Sequence, residues 1–550
     1  MNVSRIVTFF ALCAVAFAGL SPAASASASA ESTTVRPVMN CGDLVRGFDL
    51  PGAVTHVTTA NVVGATATVP EYCDVHGYVE PAVQFQLWLP TKTYAGRYLQ
   101  QGCGGFCGGV TPLEFVDCGF PQGGDVAVAA TDDGHVGKTP FVFDDGTWAA
   151  NDQAARDDFA FRAPHVLSRA SKRIIQAFYG SPPRKSYFNG CSNGGREGLL
   201  LAQRYPHDFD GIAAGAPAAP FAALAGEYQT WLTRSNTGAD GKPILTLAKL
   251  PALHSAVLAA CDRLDGLSDG LIGDPRACRF DPASLACPAS TDTPACLTAA
   301  QVTAVRKLYS PPTDSHGVLL YPGSVLPGSE PAWALWTMPV PEFGDFTFAR
   351  ALSDNYLRYI GYPIGAPASS TDTFAFTRAE FDRLTPEALR GNALNPDLSE
   401  FRRAGGKLVV WHGWADQAIP PAGTLDYFQR LTQRSGGPAR TAEWARLFMV
   451  PGLFHCGDGT TLTEFDPLKS LVAWVEQGVT PERVVAVGRD SAGTVTRTRP
   501  VFPYPLEARY DGTGSIDDAA NFRPVAPWRP PHDVVAWAGD RQYVPGPVAQ

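Results

Sequence analysis

Two short segments carry residues able to do chemistry together. Ser192 is the centre of Gly190-Cys191-Ser192-Asn193-Gly194, and His455 lies in Pro451-Gly452-Leu453-Phe454-His455-Cys456-Gly457. A serine hydroxyl becomes a nucleophile when an imidazole takes its proton, which requires contact at roughly 2.6 to 3.2 Å. Such a contact also brings Cys191 and Cys456 together. Their Cα atoms then fall in the roughly 4.4 to 6.8 Å window of a disulfide, so one bond would tie the serine turn to the histidine loop.

An acid must orient the imidazole, and in the Gly-x-Ser-x-Gly arrangement the order along the chain is Ser, acid, His. Asp416, in Trp411-His412-Gly413-Trp414-Ala415-Asp416, lies between the other two. Other residues compete for these roles. His135, in Thr131-Asp132-Asp133-Gly134-His135, precedes the serine, His412 shares the acid's own strand end, and Asp458 is too close to His455 in a turn. The expected oxyanion donors are the N–H of Asn193 and an N–H from Gln101-Gly102-Cys103-Gly104-Gly105-Phe106, where glycines allow close backbone approach. Gly104 is the choice there, with Gly102 and Gly105 as alternatives.

These residues need rigid elements to position them. Phe85 to Leu89 and Val126 to Ala130 are short apolar runs that read as buried strands, and Ser186 to Asn189, Lys407 to Trp411 and Leu447 to Val450 read as further short strands. Phe159 to Tyr179 and Gly194 to Tyr205 read as helices. Strands alternating with helices imply an α/β fold with a mostly parallel sheet, and every candidate residue follows a strand. From Pro217 to about Asn395 the rhythm gives way to cysteines, Asp/Gly turns and scattered aromatics. The expected organisation is a catalytic domain of residues 31–216 and 396–550, interrupted by an inserted lid domain of residues 217–395.

Residues 1–30 hold Arg5, the apolar run Ile6 to Leu20 and several Ala-x-Ala sites, the pattern of a secretory signal peptide. The run is too short for a membrane span, so a secreted protein is expected. Export favours disulfides. Of the 12 cysteines only Cys13 lies in the leader, so the mature count is odd. Spacing suggests Cys41 with Cys73, Cys261 with Cys278, Cys287 with Cys296, and Cys191 with Cys456. One of Cys103, Cys107 and Cys118 then stays free or pairs between chains. The net charge of −9 without basic runs argues against a nucleic-acid partner, and oligomeric state is left open.

Gly190-Cys191-Ser192-Asn193-Gly194-Gly195-Arg196, Gly413-Trp414-Ala415-Asp416 and Pro451-Gly452-Leu453-Phe454-His455-Cys456 together resemble the tannase and feruloyl esterase family of α/β-hydrolases, from about Cys41 to Pro505. The family includes fungal tannases, type B feruloyl esterases and a bacterial terephthalate monoester hydrolase. The resemblance implies an α/β-hydrolase fold with a large inserted lid, a Ser192–Asp416–His455 triad, and a disulfide between the cysteines flanking serine and histidine. A second segment, Cys261-Asp262-Arg263-Leu264-Asp265-Gly266-Leu267-Ser268-Asp269-Gly270-Leu271, places three carboxylates among glycines. Such a segment can be a turn capping its own backbone. Its resemblance to the family's lid calcium site implies instead carboxylate ligands from Asp262, Asp265 and Asp269 and carbonyl ligands from Leu267 and Leu271. That calcium would be structural, and no organic cofactor is expected.

The reaction implied is hydrolysis of an aromatic, phenolic acid ester such as a feruloyl or galloyl ester, through an acyl-enzyme. Trp333, Trp336, Phe343, Phe346 and Phe348 are candidates to clasp the acyl group, and Ile419, three residues after Asp416, is expected to face the same pocket. A terephthalate-type aromatic diacid monoester is the alternative substrate. A serine peptidase and a non-catalytic binding protein are the competing classes.

Overall fold

Alternate side chains of a strand point to opposite faces, so a strand that shows one apolar and one polar face needs cover on one side only. Four such strands begin the fold. In the computed structural model, which describes residues 34–110, 124–138, 142–527 and 531–549, β1 (Gly47–Phe48), β2 (Thr55–Val63), β3 (Tyr72–Val79) and β4 (Val83–Pro90) form an antiparallel meander. In β4 the expected buried run Phe85 to Leu89 is instead alternating: Phe85, Leu87 and Leu89 are buried, whereas Gln84 is exposed and Gln86 and Trp88 are half-buried. The leader at residues 1–30 and Cys118 lie outside the described residues.

The next six strands are buried almost throughout: β5 (Arg97–Gln101), β6 (Val126–Thr131), β7 (Lys185–Cys191), β8 (Gly211–Gly215), β9 (Lys407–Gly413) and β10 (Ala445–Val450). They pair parallel in the order β6-β5-β7-β8-β9-β10 and join the meander through an antiparallel β4–β6 contact, making a 10-stranded sheet. The expected mostly parallel sheet thus holds for this half, while the first four strands are antiparallel.

Helices cover both faces. Helix α1 (Ala163–Tyr179) turns Val166, Leu167, Ala170, Ile174 and Phe178 inward, keeps Arg173 and Gln176 in solvent, and stops at Gly180 in the left-handed region. It packs in one apolar cluster with α2 (Asn193–Arg204). A second cluster takes the alternate strand residues, among them Leu99, Tyr187, Val409 and Phe448, and is closed by Leu468, Leu471 and Trp474 of residues 468–477.

Register decides where the loops emerge. Cys191 pairs with Gly215, Gly215 with Trp411, and Gly413 with Val450, so the carboxyl ends of neighbouring strands lie side by side. In parallel sheets this edge is where sites are built. The loops after β5, β7, β9 and β10, which carry every candidate catalytic and oxyanion residue, therefore converge.

Between β8 and β9, residues 217–395 contribute helices and 3-10 turns and no strand. Helix α3 (Leu250–Cys261) leads into the Asp-rich loop, and α4 (Arg378–Gly391) returns the chain towards the sheet. Phe221, Trp333, Tyr356 and Phe381 of this segment belong to the same apolar cluster as α1 and α2, so it shares a core with the sheet. Among the described residues no helix is long and apolar enough to cross a membrane.

Candidate active site

Ser192 stands between the last residue of β7 and the first of α2 with φ 64° and ψ −122°, a conformation that non-glycine residues seldom adopt. Its surroundings hold it there. Its N–H bonds to the Gly215 carbonyl at 3.0 Å, and its own carbonyl accepts from Arg196 and Ala218. The flanking glycines are required by space, since a Cβ on Gly190 would come 2.6 Å from the backbone of Gly194. The tight turn lifts the hydroxyl above the sheet edge and aims the N-terminus of α2 at it.

The hydroxyl meets His455. Ser192 Oγ lies 2.9 Å from Nε2, and Nδ1 on the other side of the ring lies 2.8 Å from Asp416 Oδ2. With its Nδ1 proton donated to the carboxylate, the imidazole presents a lone pair to the serine. Cys191 and Cys456 are bonded, with Cα atoms 5.8 Å apart, and join the two loops directly behind this contact.

Asp416 is fully buried. Burial alone would raise its pKa, but the charge and hydrogen bonds of His455 and His412 outweigh it and hold the carboxyl well below the usual carboxylate range. Its Oδ1 accepts the N–H groups of Ala418 and Ile419, both at 2.8 Å, which fixes the plane of the carboxylate. His412 donates from Nε2 to the Ile419 carbonyl at 2.9 Å and contacts Thr424 at 2.8 Å, so it braces the acid's loop.

Along residues 102–107 the N–H groups of Gly102, Phe106 and Cys107 are bonded to backbone carbonyls, and that of Cys103 to the Glu197 carboxyl. Those of Gly104 and Gly105 are uncommitted among the described residues. Gly105, together with Asn193, lines the cavity over Ser192, whereas Gly104 does not. The cavity is narrow, about 40 Å³. Ile419 lines it. Of the five expected aromatics only Trp336 does, its ring centroid 5.8 Å from that of His455. Phe348 packs behind Trp336 at 5.6 Å and Phe346 behind Phe348 at 5.1 Å. Trp333 is sealed in the core with its indole N–H on Ser329, and Phe343 is 46% exposed.

Sequence reasoning missed Gln229. Its side chain donates to the Ala418 carbonyl at 2.8 Å and accepts the Trp336 indole N–H at 3.1 Å, linking the acid's loop to the aromatic wall. No local pattern marks it, because both partners are distant in the chain.

All four disulfides suggested by spacing are present, Cys41–Cys73, Cys191–Cys456, Cys261–Cys278 and Cys287–Cys296. A fifth joins Cys103 to Cys107. These two sulfurs lie with the Asp133 and Glu197 carboxyls in one cluster, but disulfide sulfur is not the thiolate a metal needs.

In the Asp-rich loop, Asp262 accepts the N–H groups of Asp269 and Gly270 at 3.2 Å, Asp265 that of Leu267 at 3.0 Å, and Asp269 that of Leu271 at 3.2 Å. Asp269 also pairs with Arg499 at 2.5 Å. Burial first, and then Asp269 as a neighbour, push Asp265 up to about 6. The carbonyls of Leu267 and Leu271 accept no hydrogen bond from the described residues. The Asp262 and Asp265 carboxyls and the two uncommitted carbonyls are hard oxygens of the kind calcium takes, while Asp269 is already paired with Arg499.

Residues 60–525 match the family model described as tannase and feruloyl esterase. The chain belongs to this family. It is accordingly a carboxylic ester hydrolase with the α/β-hydrolase fold. Similar sequences include the mono(2-hydroxyethyl) terephthalate hydrolase of Piscinibacter sakaiensis, 34% identical over 88% of this chain and 90% of that protein. The probable feruloyl esterase of Arthroderma benhamiae is 32% identical over 84% and 86%. Feruloyl esterase B from Aspergillus oryzae superposes with a TM-score of 0.74 at 26% identity, covering 87% of this chain and 98% of that one. Like other members of the tannase and feruloyl esterase family, the chain acts on small-molecule esters.

Proposed function

We propose that this family member is an exported serine esterase that cleaves aromatic carboxylic esters through an acyl-enzyme on Ser192. The observation that carries the reading is the continuous Ser192–His455–Asp416 relay, at 2.9 and 2.8 Å, on a serine held at φ 64°. His455 Nε2 takes the Ser192 proton as Oγ attacks the ester carbonyl, and Asp416 stabilises the imidazolium. The oxyanion is met by the Asn193 N–H and by a second N–H from the Gly104–Gly105 pair. His455 returns its proton to the leaving alcohol. Water, deprotonated by the same imidazole, then releases the acid. The apolar run at residues 6–20 and the five disulfides support export.

The aromatic preference rests on Trp336 and on the relatives' substrates. A cavity of roughly 150 Å³ is needed to hold even benzene, so a ring must displace part of the wall, and Trp336 offers it a face to lie against. None of the described residues lining the cavity is a lysine or arginine. A free ring carboxylate would find no cationic partner there. Neutral feruloyl or galloyl esters are therefore favoured over the terephthalate monoester. Apolar contacts alone discriminate by about 1 to 3 kcal/mol, so choice among neutral aromatic acids should be loose. Methyl ferulate, methyl gallate, terephthalate monoester and p-nitrophenyl palmitate, compared by kcat/KM, test this. The methyl esters are expected to lead, and the reading fails if palmitate does.

Calcium, held by Asp262, Asp265, Asp269 and the carbonyls of Leu267 and Leu271, would be structural. It would neutralise the buried Asp265 charge. Without it, Asp265 binds its proton more tightly folded, at about 6, than unfolded, at about 3.9. A raised folded value means stability present at low pH and lost as pH rises through that window. The chelated protein is thus expected to lose Tm between pH 4 and pH 6, and added calcium to restore it mainly above pH 6. Identical Tm values with and without calcium at pH 7 would remove the site.

A further inference from the structure

The proposed oxyanion site has two halves from different parts of the chain, the Asn193 N–H at the start of α2 and the loop after β5. They are pressed together with almost no spare room. A Cβ on Gly102 would lie 2.6 Å from the Gly194 Cα and 2.8 Å from Glu197 Oε2. Glu197 touches both halves. Its Oε1 accepts the Asn193 side-chain amide at 2.7 Å and lies 3.1 Å from Cys103 Sγ, and its carboxyl also takes the Cys103 N–H. Arg196 completes the clamp by donating from Nε to Asn193 Oδ1 at 2.7 Å.

Glu197 does not stand alone. The Asp133 carboxyl shares its cluster, in which one oxygen from each carboxyl and the two sulfurs lie within 4.8 Å of one another, and Asp133 Oδ2 is 3.3 Å from Cys107 Sγ. Both carboxyls are buried, at 1% and 0% exposure. Burial raises both carboxyls, and the Glu197 charge raises Asp133 further, against the pull of the neighbouring Arg196 cation, and a side-chain hydrogen bond joins Glu197 to Asp133. The same Asp133 turn holds the loop from its far side. His135 contacts the Phe106 carbonyl through Nε2 at 2.7 Å, its ring is stacked on Trp148, and the Asp132 carbonyl accepts the Gly108 N–H at 3.1 Å. Burial keeps His135 neutral, lowering it to about 4.

We propose that Glu197, hydrogen-bonded to Asp133, is a positioning residue for ester hydrolysis, holding the β5 loop against the start of α2 so that both oxyanion N–H groups point at one spot. This rests on the assignment of Ser192 as nucleophile and of Asn193 as oxyanion donor. Glu197 never touches substrate. Its loss acts on the charge that develops in the transition state and leaves ground-state binding of the ester alone.

The experiment compares Glu197→Met, which fills the space without accepting a hydrogen bond, with Glu197→Gln, whose amide can accept from Asn193 and donate to an ionised Asp133. Glu197→Met is expected to lower kcat about 10²-fold with KM changed less than about threefold. Glu197→Gln should keep kcat within about fivefold. An aryl boronic acid, whose adduct mimics the tetrahedral oxyanion, should lose affinity for Glu197→Met in step with kcat, while the product acid binds as before. A purely structural role would lower Tm and weaken both ligands together.

A folded Glu197→Met with wild-type kcat overturns the proposal, as does Glu197→Gln impaired as badly as Met. If Glu197→Met fails to fold, Glu197→Gln and Asp133→Asn decide, since both must retain activity. Ser192→Ala run alongside separates the two levels. Activity retained there removes the serine assignment itself, whereas activity lost there but kept in Glu197→Met removes only the brace.

Discussion

Replacing Ser192 with alanine is expected to lower kcat about 10⁶-fold and to leave the protein folded. Among the described residues the hydroxyl makes one polar contact, with His455 Nε2 at 2.9 Å, and Ser192 is not fully buried, so losing it opens no sealed cavity. Alanine meets the same left-handed backbone at φ 64° as serine does, so the turn itself is unchanged. On the proposed mechanism, what disappears is the route to an acyl-enzyme. The variant should still bind product acid, and it should resist a fluorophosphonate that labels the wild type at one site per chain. Catalysis surviving from the oxyanion donors and from binding, about 10³-fold to 10⁴-fold over water, sets the floor. More than a tenth of wild-type kcat in a protease-free preparation would mean that another nucleophile operates.

How much of this site was legible in the sequence depended on how local each signal is. Ser192, Asp416 and His455 each sit one to five residues beyond a short apolar strand, so the strand-then-loop pattern and their order were enough to single them out. Cys191 and Cys456 added a check, since their bond is possible only if the two loops meet. The lid aromatics were less legible. Trp333 and Trp336 look alike in sequence, but one hydrogen-bonds within its own turn and the other reaches across to Gln229. Long-range contacts of that kind leave no periodic trace.

The antiparallel half of the sheet was misjudged for a different reason. Phe85, Leu87 and Leu89 were read as part of a continuous apolar run, yet Gln84 and Gln86 already gave the period-two alternation of a strand with one covered face. The choice of Gly104 as oxyanion donor shows the limit of reasoning from composition. Several adjacent glycines can approach closely, and only the hydrogen bonds already spent on Gly102, Cys103, Phe106 and Cys107 reduce the choice to Gly104 and Gly105. The partner of Cys103 was equally open, because a pairing across four residues depends on how tightly the loop folds back.

Asp416→Asn tests the relay without changing its shape, and is expected to cost about 10⁴-fold in kcat. The reason is a mismatch of donors. Asp416 Oδ1 accepts two backbone N–H groups, from Ala418 and Ile419, while Oδ2 accepts the Nδ1 proton of His455. Asparagine has one oxygen and one NH2. With the oxygen towards Ala418 and Ile419, the NH2 faces Nδ1, which must then give up its proton and accept. The imidazole proton moves to Nε2, and the lone pair that should take the Ser192 proton is gone. With the amide turned round, NH2 meets two N–H donors in a fully buried loop, an arrangement the loop does not tolerate. In the wild type the carboxyl stays ionised at pH 5, because His455 and His412 hold Asp416 below the usual carboxylate range. Fluorophosphonate labelling should slow in parallel with kcat, since both need the same general base, while product binding and the near-ultraviolet spectrum stay as in the wild type. A variant that keeps more than a tenth of wild-type kcat, or that labels at the wild-type rate, would show that the carboxylate does not set the tautomer of His455.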